Sequence, residues 1–138
     1  MTKFSILYPM LAMAWLTVSV LMLIPYRRFK AIKNKELTPN DFSLGESSNV
    51  NVYVALANRN YMNLLEAPII FYITCLLMYL IDSVTLITVV LSWCYVALRS
   101  MHSFVHVTNN NVRYRLMLFA LSNFVLITLL ALLTASIL

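Results

Sequence analysis

Charged residues are scarce in this sequence. Only 11% of the 138 residues are Asp, Glu, Lys or Arg, while 62% are apolar and the mean hydropathy is +0.82. A soluble domain carries about 25% charged residues, so this scarcity excludes a soluble domain. The length is sufficient for about four membrane-spanning helices of about 20 residues each.

Cysteine and histidine are also sparse, with two of each. Cys75 and Cys94 both lie in the middle of an apolar run, which shields a thiol from oxidants, so we predict packing residues and no disulfide. His102 and His106 lie four residues apart and supply only two ligands, and no carboxylate is spaced to complete the set. The sequence therefore predicts no metal site.

A small-residue cleavage pattern is missing after the first apolar run, and the basic residues follow that run instead of preceding it. We therefore expect a retained membrane helix and no cleaved signal peptide. Because only helices and closed barrels satisfy their backbone in lipid, we predict an all-α integral membrane protein, a single-domain bundle of four transmembrane helices. The predicted spans are residues 4–26, 56–81, 83–107 and 113–137.

The connection between the first two spans is long and polar. Helix one has no strong breaker between Pro25 and Thr38-Pro39, so we predict that it continues beyond Ile24 to about that point. A cytoplasmic loop follows at about residues 34–50, where Ser47, Ser48 and Asn49 are candidate caps of helix two. This loop is either a functional segment or a headgroup-level tether.

The ten basic residues are unevenly distributed along the chain. Nine fall between the uncharged runs 4–24 and 67–81 or between the uncharged runs 83–98 and 116–138, and only Lys3 lies on the other side. The positive-inside rule places both basic connections in the cytoplasm and both termini outside. Anionic headgroups of membrane lipids, or an anionic substrate, suit this charge, whereas a nucleic-acid partner would need a water-exposed recognition module that the sequence lacks.

Glu66 is the only acid within a predicted span. The uncharged run 67–81 covers about 22 Å as a helix, less than the ~30 Å hydrocarbon layer, so the span extends back past Glu66. An ionised carboxylate at that depth costs about 3 kcal/mol or more unless it is partnered. A partner is therefore expected.

Counting outward from a predicted tight turn at Asp82-Ser83 supplies that partner. Glu66 and Arg99 lie at similar distances from the turn, as do Asn63 and His102, and Arg59 and His106. Spacings of three and four residues also place the helix-two members of these pairs on one face of helix two, and the helix-three members on one face of helix three. We predict a polar cleft in which one carboxylate faces several cations, an arrangement that favours an anion with two or more acidic groups.

The chain resembles a known family. The resemblance rests on the motif Arg59-x3-Asn63-x2-Glu66 followed by Pro68, on Arg99-x2-His102, and on an arginine that opens the fourth span. The family is the membrane-associated proteins in eicosanoid and glutathione metabolism (the MAPEG superfamily). The resemblance covers nearly the whole chain. It implies a homotrimer with glutathione sites between neighbouring subunits, and a bacterial-type member in the inner membrane that is similar to microsomal glutathione transferases.

The resemblance also implies roles for individual residues. Arg115 would be the catalytic residue that stabilises the glutathione thiolate, and the electrophile would be a lipophilic molecule arriving from the bilayer. His106 stands where family enzymes often have a tyrosine, and Leu116 stands where a hydroxyl donor is expected. The residues expected to bind glutathione are Arg59, Asn63, Glu66, Arg99, His102, Arg27, Arg28 and His106.

Three function classes remain open from the sequence. The first is a membrane glutathione-dependent transferase or peroxidase. The second is a non-catalytic member of the same fold that binds lipid or protein, with Glu66 and Arg99 as a structural ion pair. The third is a small proton-coupled transporter, which the position of Glu66 near one membrane face disfavours.

The predicted alignment of helix two with helix three can be tested by cross-linking. In a background without Cys75 and Cys94, cysteines introduced at positions 63 and 102 are expected to form a disulfide in the folded membrane form. Non-reducing electrophoresis detects the product within or between subunits. Failure of this pair, with success of a pair displaced by one helical face, would show that the predicted cleft is wrong.

Overall fold

A computed structural model describes residues 2–43 and 50–138 of the chain. In this part, every regular element is helical: a 3-10 turn at Lys3–Ile6 precedes α1, and another lies at Pro39–Phe42. The four long helices are α1 (Leu7–Lys33), α2 (Val52–Leu80), α3 (Leu86–Val107) and α4 (Val112–Ile137). All four are long and apolar enough to cross a membrane, which confirms the predicted all-helical, four-span fold.

Three of the helix ends and turns use a left-handed residue that is not glycine. Lys35, Asp82 and Asn110 have φ angles of 59°, 58° and 50°, a region that non-glycine residues seldom adopt. At the end of α1, Glu36 N donates to Ala31 O and Lys35 N donates to Ile32 O, the two hydrogen bonds of a Schellman motif. The backbone therefore reverses without the glycine that usually occupies this position.

This motif corrects the predicted end of helix one. α1 continues beyond Ile24 and through Pro25, but it ends at Lys33 and not at Thr38-Pro39. The left-handed conformation of Lys35 turns the chain before the proline is reached. Thr38 instead begins the short 3-10 helix, where its backbone N–H and hydroxyl both donate to the Asp41 carboxylate at 2.8 Å.

The connection between α2 and α3 is also longer than the predicted two-residue turn. Asp82 is left-handed and ends α2, and the chain then continues until the Thr85 hydroxyl caps α3 by accepting from Thr88 N at 3.2 Å. Residues 81–85 therefore form the connection. Across the outside of this turn, Lys3 forms a 2.9 Å salt bridge with Asp82.

Asn51 caps the start of α2. Its side-chain oxygen accepts from Val54 N at 3.0 Å, and its amide nitrogen donates to Glu36 at 2.9 Å. Because Asn34 donates to the other Glu36 oxygen at 3.1 Å, the Glu36 carboxylate links the end of α1 to the start of α2. The predicted cap residues Ser47, Ser48 and Asn49 lie outside the described residues.

The core runs along the length of the bundle. α3 packs chiefly on α4, and α1 packs chiefly on α2. Met13, Phe71, Tyr95 and Leu129 are fully buried, and the rings of Phe71 and Tyr95 stack with centroids 4.5 Å apart. Large apolar side chains cover the outer surface, as expected for helices that face lipid.

Arg27 links α1 to α2 and α3 at the end of the bundle where α1 ends. Its side chain is only 4% exposed, and its guanidinium donates to Tyr53 O at 2.6 Å and to Val107 O at 2.7 Å. Val107 is the last residue of α3, so this contact satisfies a carbonyl that has no partner within its helix. The guanidinium also lies 4.1 Å from the centre of the Tyr53 ring.

We expect Arg27→Ala to destabilise the bundle by about 3 kcal/mol, because two charged hydrogen bonds are lost and two carbonyls lose their donor. Reversible unfolding in mixed micelles measures the change. Arg28→Ala is the matched control, since Arg28 is only half-buried and packs 4.8 Å from the Phe42 ring. Equal effects of the two substitutions would contradict a fastening role specific to Arg27.

Candidate functional site

A cleft of about 220 Å³ lies between α2, α3 and α4. It is near the basic end of the bundle, which we define as the end formed by Lys33, Val52, Val107 and Val112, where α1 and α3 finish and α2 and α4 begin. Its lining combines amide, imidazole and guanidinium groups with apolar side chains. The lining residues are Asn63, His102, Val112, Arg115, Leu116 and Phe119.

The structure brings Asn63 of α2 and His102 of α3 to this cleft together, in agreement with the count from the hairpin. The longer connection at residues 81–85 does not disturb the match, because it is shared almost equally between the two helices. Antiparallel helices rise equally per residue, so positions equidistant from the turn stay level. The predicted register therefore places these two side chains correctly.

The predicted ion pair between Glu66 and Arg99 is not formed within the described part of the chain. Arg99 is fully buried and donates through Nη2 to the backbone oxygen of Asn63, one helical turn closer to the basic end than Glu66. Glu66 is exposed on the outer face of α2. Equal depth does not make the two side chains point toward each other, and this explains the error.

Arg99 retains unused hydrogen-bonding capacity. Its Nε and Nη1 atoms are buried and have no hydrogen-bond partner among the described residues. Its guanidinium lies 5.7 Å from the centre of the Phe119 ring, which lines the cleft. Leaving charged donors unpaired in an apolar interior costs several kcal/mol, so an acceptor is needed here.

The two histidines are also incompletely bonded. His102 Nδ1 lies 3.0 Å from the backbone oxygen of Arg115, whereas its Nε2 has no partner in the described chain. Both ring nitrogens of the buried His106 lack a partner there too. The rings lie 5.8 Å apart. One face of α3 thus carries four side chains with buried polar atoms that lack a partner among the described residues: Tyr95, Arg99, His102 and His106.

Arg115 connects the cleft to the turn before α4. It is half-buried, donates through Nη1 to the side-chain oxygen of Asn110, and keeps a buried Nε without a partner among the described residues. Asn111 caps α4 by accepting from Arg113 N at 3.1 Å. Arg115 thus lies in the first turn of α4, where the helix dipole adds to its positive field.

The remaining predicted residues do not line the cleft. Arg59 is exposed, and its backbone oxygen accepts from the Asn63 side chain at 3.0 Å. Arg27 uses its terminal nitrogens to bind the backbone of α2 and α3, and Arg28 packs on Phe42. In one copy of the chain, Glu66 and these three arginines are separated from Asn63, His102 and Arg115.

Sequence reasoning missed two residues. Asn60 is fully buried and donates to the Ser103 hydroxyl at 2.6 Å, while its own side-chain oxygen has no partner in the described part of the chain. It lies one turn before Asn63, and its polar side chain in a span was the available signal. Phe119 follows Arg115 by one turn and forms the apolar wall of the cleft.

Among residues 2–43 and 50–138, no group of three or more metal-ligating side chains is gathered. The cleft instead offers arginine and amide donors, and one imidazole nitrogen, beside an apolar wall. Such a set binds anions that carry carboxylates or other acidic groups. Val112, Leu116 and Phe119 form the apolar part of the cleft lining.

Comparison with known proteins gives one positive result. The sequence model of the MAPEG family matches residues 5–135, which is nearly the whole chain. No curated protein sequence and no solved structure gives a significant match.

We expect Arg99→Met to leave the ligand-free protein as stable as the original or more stable, because methionine fills similar space without unpaired charge. Thermal unfolding in detergent measures the change. Tyr95→Phe is the matched control, since the Tyr95 hydroxyl is also buried without a partner among the described residues and carries no charge. A loss of more than about 2 kcal/mol in Arg99→Met alone would show that Arg99 holds the fold together.

Proposed function

The chain belongs to the MAPEG family, the membrane-associated proteins in eicosanoid and glutathione metabolism, and we propose that it is a glutathione-dependent transferase or peroxidase that acts on a lipophilic electrophile. The observation that carries the proposal is the pair of buried guanidinium donors on Arg99 that have no partner among the described residues, beside a cleft lined by His102 and Arg115. Buried guanidinium donors favour an acidic ligand, and glutathione carries two carboxylates.

Glutathione fits the chemistry of the residues present. Its carboxylates match the free guanidinium nitrogens of Arg99 and the basic character of Arg115, and Asn63 offers an amide to orient the peptide groups. Its α-ammonium group suits a carboxylate such as Glu66. When bound, glutathione supplies a thiolate, which is the nucleophile for both conjugation and peroxide reduction.

We assign Arg115 to the stabilisation of that thiolate. Its guanidinium lies in the first turn of α4, where a cation and a helix N-terminus together favour the anionic form of a thiol. His102 holds the Arg115 backbone through its Nδ1 contact and so positions this turn. The apolar wall of Val112, Leu116 and Phe119 would bind the lipophilic substrate arriving from the bilayer.

A homotrimer with sites between subunits is part of the proposal. Glu66 lies about 21 Å along α2 from Leu80, inside a ~30 Å apolar layer, yet it is exposed on a single copy of the chain. A carboxylate facing lipid there costs about 3 kcal/mol. A neighbouring subunit that covers Glu66 and Arg59 would remove this cost and bring both residues to a shared site.

The proposed location is a bacterial inner membrane, with the basic end in the cytoplasm and both termini outside. The distribution of basic residues supports this orientation, because nine of the ten lie toward the basic end. Glutathione would then bind near the cytoplasmic face. Membrane lipids surround the outer helix faces, whose large side chains are mostly apolar.

A non-catalytic member of the same fold is the second candidate. Leu116 favours it, because this residue lines the cleft directly after Arg115 and offers no hydroxyl to a thiol or a substrate. Such a protein would keep the anion site and carry out no conjugation. The two candidates therefore differ in turnover and need not differ in ligand binding.

We expect the purified protein to bind glutathione, which isothermal titration calorimetry measures. The Arg59→Ala and Glu66→Gln variants are expected to bind glutathione at least about tenfold more weakly, because each loses a charged contact. Arg115→Ala is expected to bind glutathione and to lose conjugation of a hydrophobic electrophile. Cys94→Ser is the control, because Cys94 is exposed and far from the cleft lining.

The outcomes separate the candidates. Binding without conjugation by the original protein supports the non-catalytic member. Absence of binding heat for the original protein and for Glu66→Gln, at millimolar glutathione, would contradict the enzyme proposal.

A further inference from the structure

A second surface on the chain has its own binding chemistry. A groove of about 460 Å³ lies on the outer face of α1 near its end, and we call it the α1 groove. Its lining combines two aromatic rings, two ammonium groups and an amide. The lining residues are Tyr26, Phe29, Lys30, Lys33 and Asn34.

The α1 groove faces away from the candidate site. Positions 26, 29, 30 and 33 recur at helical spacing on one side of α1, and Phe29 is 71% exposed. The opposite side carries Arg27 and Ala31, which are buried against the other helices. The two faces of this helix end therefore have separate roles, one in packing and one toward the surroundings.

The depth of the α1 groove matches the headgroup layer. About 20 helical residues cross a ~30 Å hydrocarbon layer, so a span that begins near Phe4 leaves that layer near Ile24. Residues 26–34 then follow over about 12 Å, which crosses the headgroup layer of roughly 5–8 Å on that side and reaches the adjoining water. Tyrosine and lysine are the residues expected at this level.

Next to the groove, on the side toward the hydrocarbon layer, the same face of α1 is apolar. Trp15, Val18 and Met22 are exposed by 69%, 42% and 57%, and they lead by steps of three and four to Tyr26. We call these three residues the apolar track. A ligand that fills both surfaces needs an acidic group at the top and a long apolar chain beneath it.

The charge of the α1 groove is not neutralised by a salt bridge among residues 2–43 and 50–138. Neither Lys30 nor Lys33 forms a salt bridge in the described part of the chain, and no acid is among the lining residues. Lys30 lies 5.9 Å from the centre of the Tyr53 ring. Glu36 borders a neighbouring pocket with Lys30, but both of its oxygens accept from asparagine amides.

We propose that the α1 groove binds the phosphate headgroup of an anionic phospholipid whose acyl chains lie along the apolar track. Lys30 and Lys33 pair with the phosphate, and Asn34 donates to its oxygens or to the glycerol. Tyr26 and Phe29 pack against the glycerol backbone at the interface. Continuity between the basic groove and the apolar track favours a lipid over a free phosphate ion.

Tryptophan quenching tests the proposal. Trp93→Phe leaves Trp15 as the single tryptophan, within the apolar track. The variant is placed in bilayers of equal phosphatidylcholine and phosphatidylglycerol, with brominated chains on one lipid or the other. Because each juxtamembrane lysine contributes roughly a fivefold preference for anionic lipid, we expect clearly stronger quenching by brominated phosphatidylglycerol.

In the lysine double variant, Lys30→Gln with Lys33→Gln, both brominated lipids are expected to quench the Trp15 fluorescence equally. The control is Lys35→Gln with Arg113→Gln, which removes the same charge from two exposed positions at the same end of the bundle and retains the preference. Circular dichroism checks the helix content of each variant. If the lysine double variant does not fold, Lys33→Gln alone is expected to reduce the preference part-way.

Three results would overturn the proposal. Equal quenching by both lipids in the Trp93→Phe protein would show that no anionic lipid is selected, or that another copy covers the face. Equal loss in the lysine variant and the control would show a general surface attraction. Loss of the preference in excess inorganic phosphate would show that the groove binds the ion and not the lipid.

Discussion

A cation enclosed by an apolar bundle is the constraint on which the candidate site depends. Arg99 reaches the Asn63 carbonyl with one nitrogen and keeps two others buried without a partner among the described residues. Desolvated charge of this kind lowers stability unless an acceptor is present. The unbonded nitrogens of His102 and His106 lie on the same helix face. Binding of an acidic ligand would remove a cost that the folded chain otherwise carries.

In the described part of the chain, the basic end of the bundle is held by hydrogen bonds and not by ion pairs. Arg27 joins α1 to the carbonyls of Tyr53 and Val107, and Glu36 connects the two helix ends through asparagine amides. These contacts fix the positions from which α2 and α3 present their polar faces. Two neighbouring arginines thus differ in role, since the half-buried Arg28 packs on the Phe42 ring.

The two faces of the α1 end are related to different surfaces of the protein, the cleft and the α1 groove. The inner face of α1 supports the helices that form the cleft, and its outer face carries the α1 groove at headgroup depth. A basic segment beside a membrane span serves two purposes in this arrangement. Its charge supports the proposed orientation of the chain, and it provides ammonium groups that have no salt-bridge partner in the described part of the chain.

Composition and hydropathy alone determined the membrane class and the four helices, because lipid leaves a backbone few ways to satisfy its hydrogen bonds. Counting from the hairpin also placed Asn63 level with His102, because rise per residue is a property of every helix. Only the tertiary structure decided where side chains point. It directed Arg99 to a backbone carbonyl, turned Glu66 outward and buried Arg27 between helices. Helix rotation and side-chain conformation depend on packing against neighbours, which spacing along one chain does not encode.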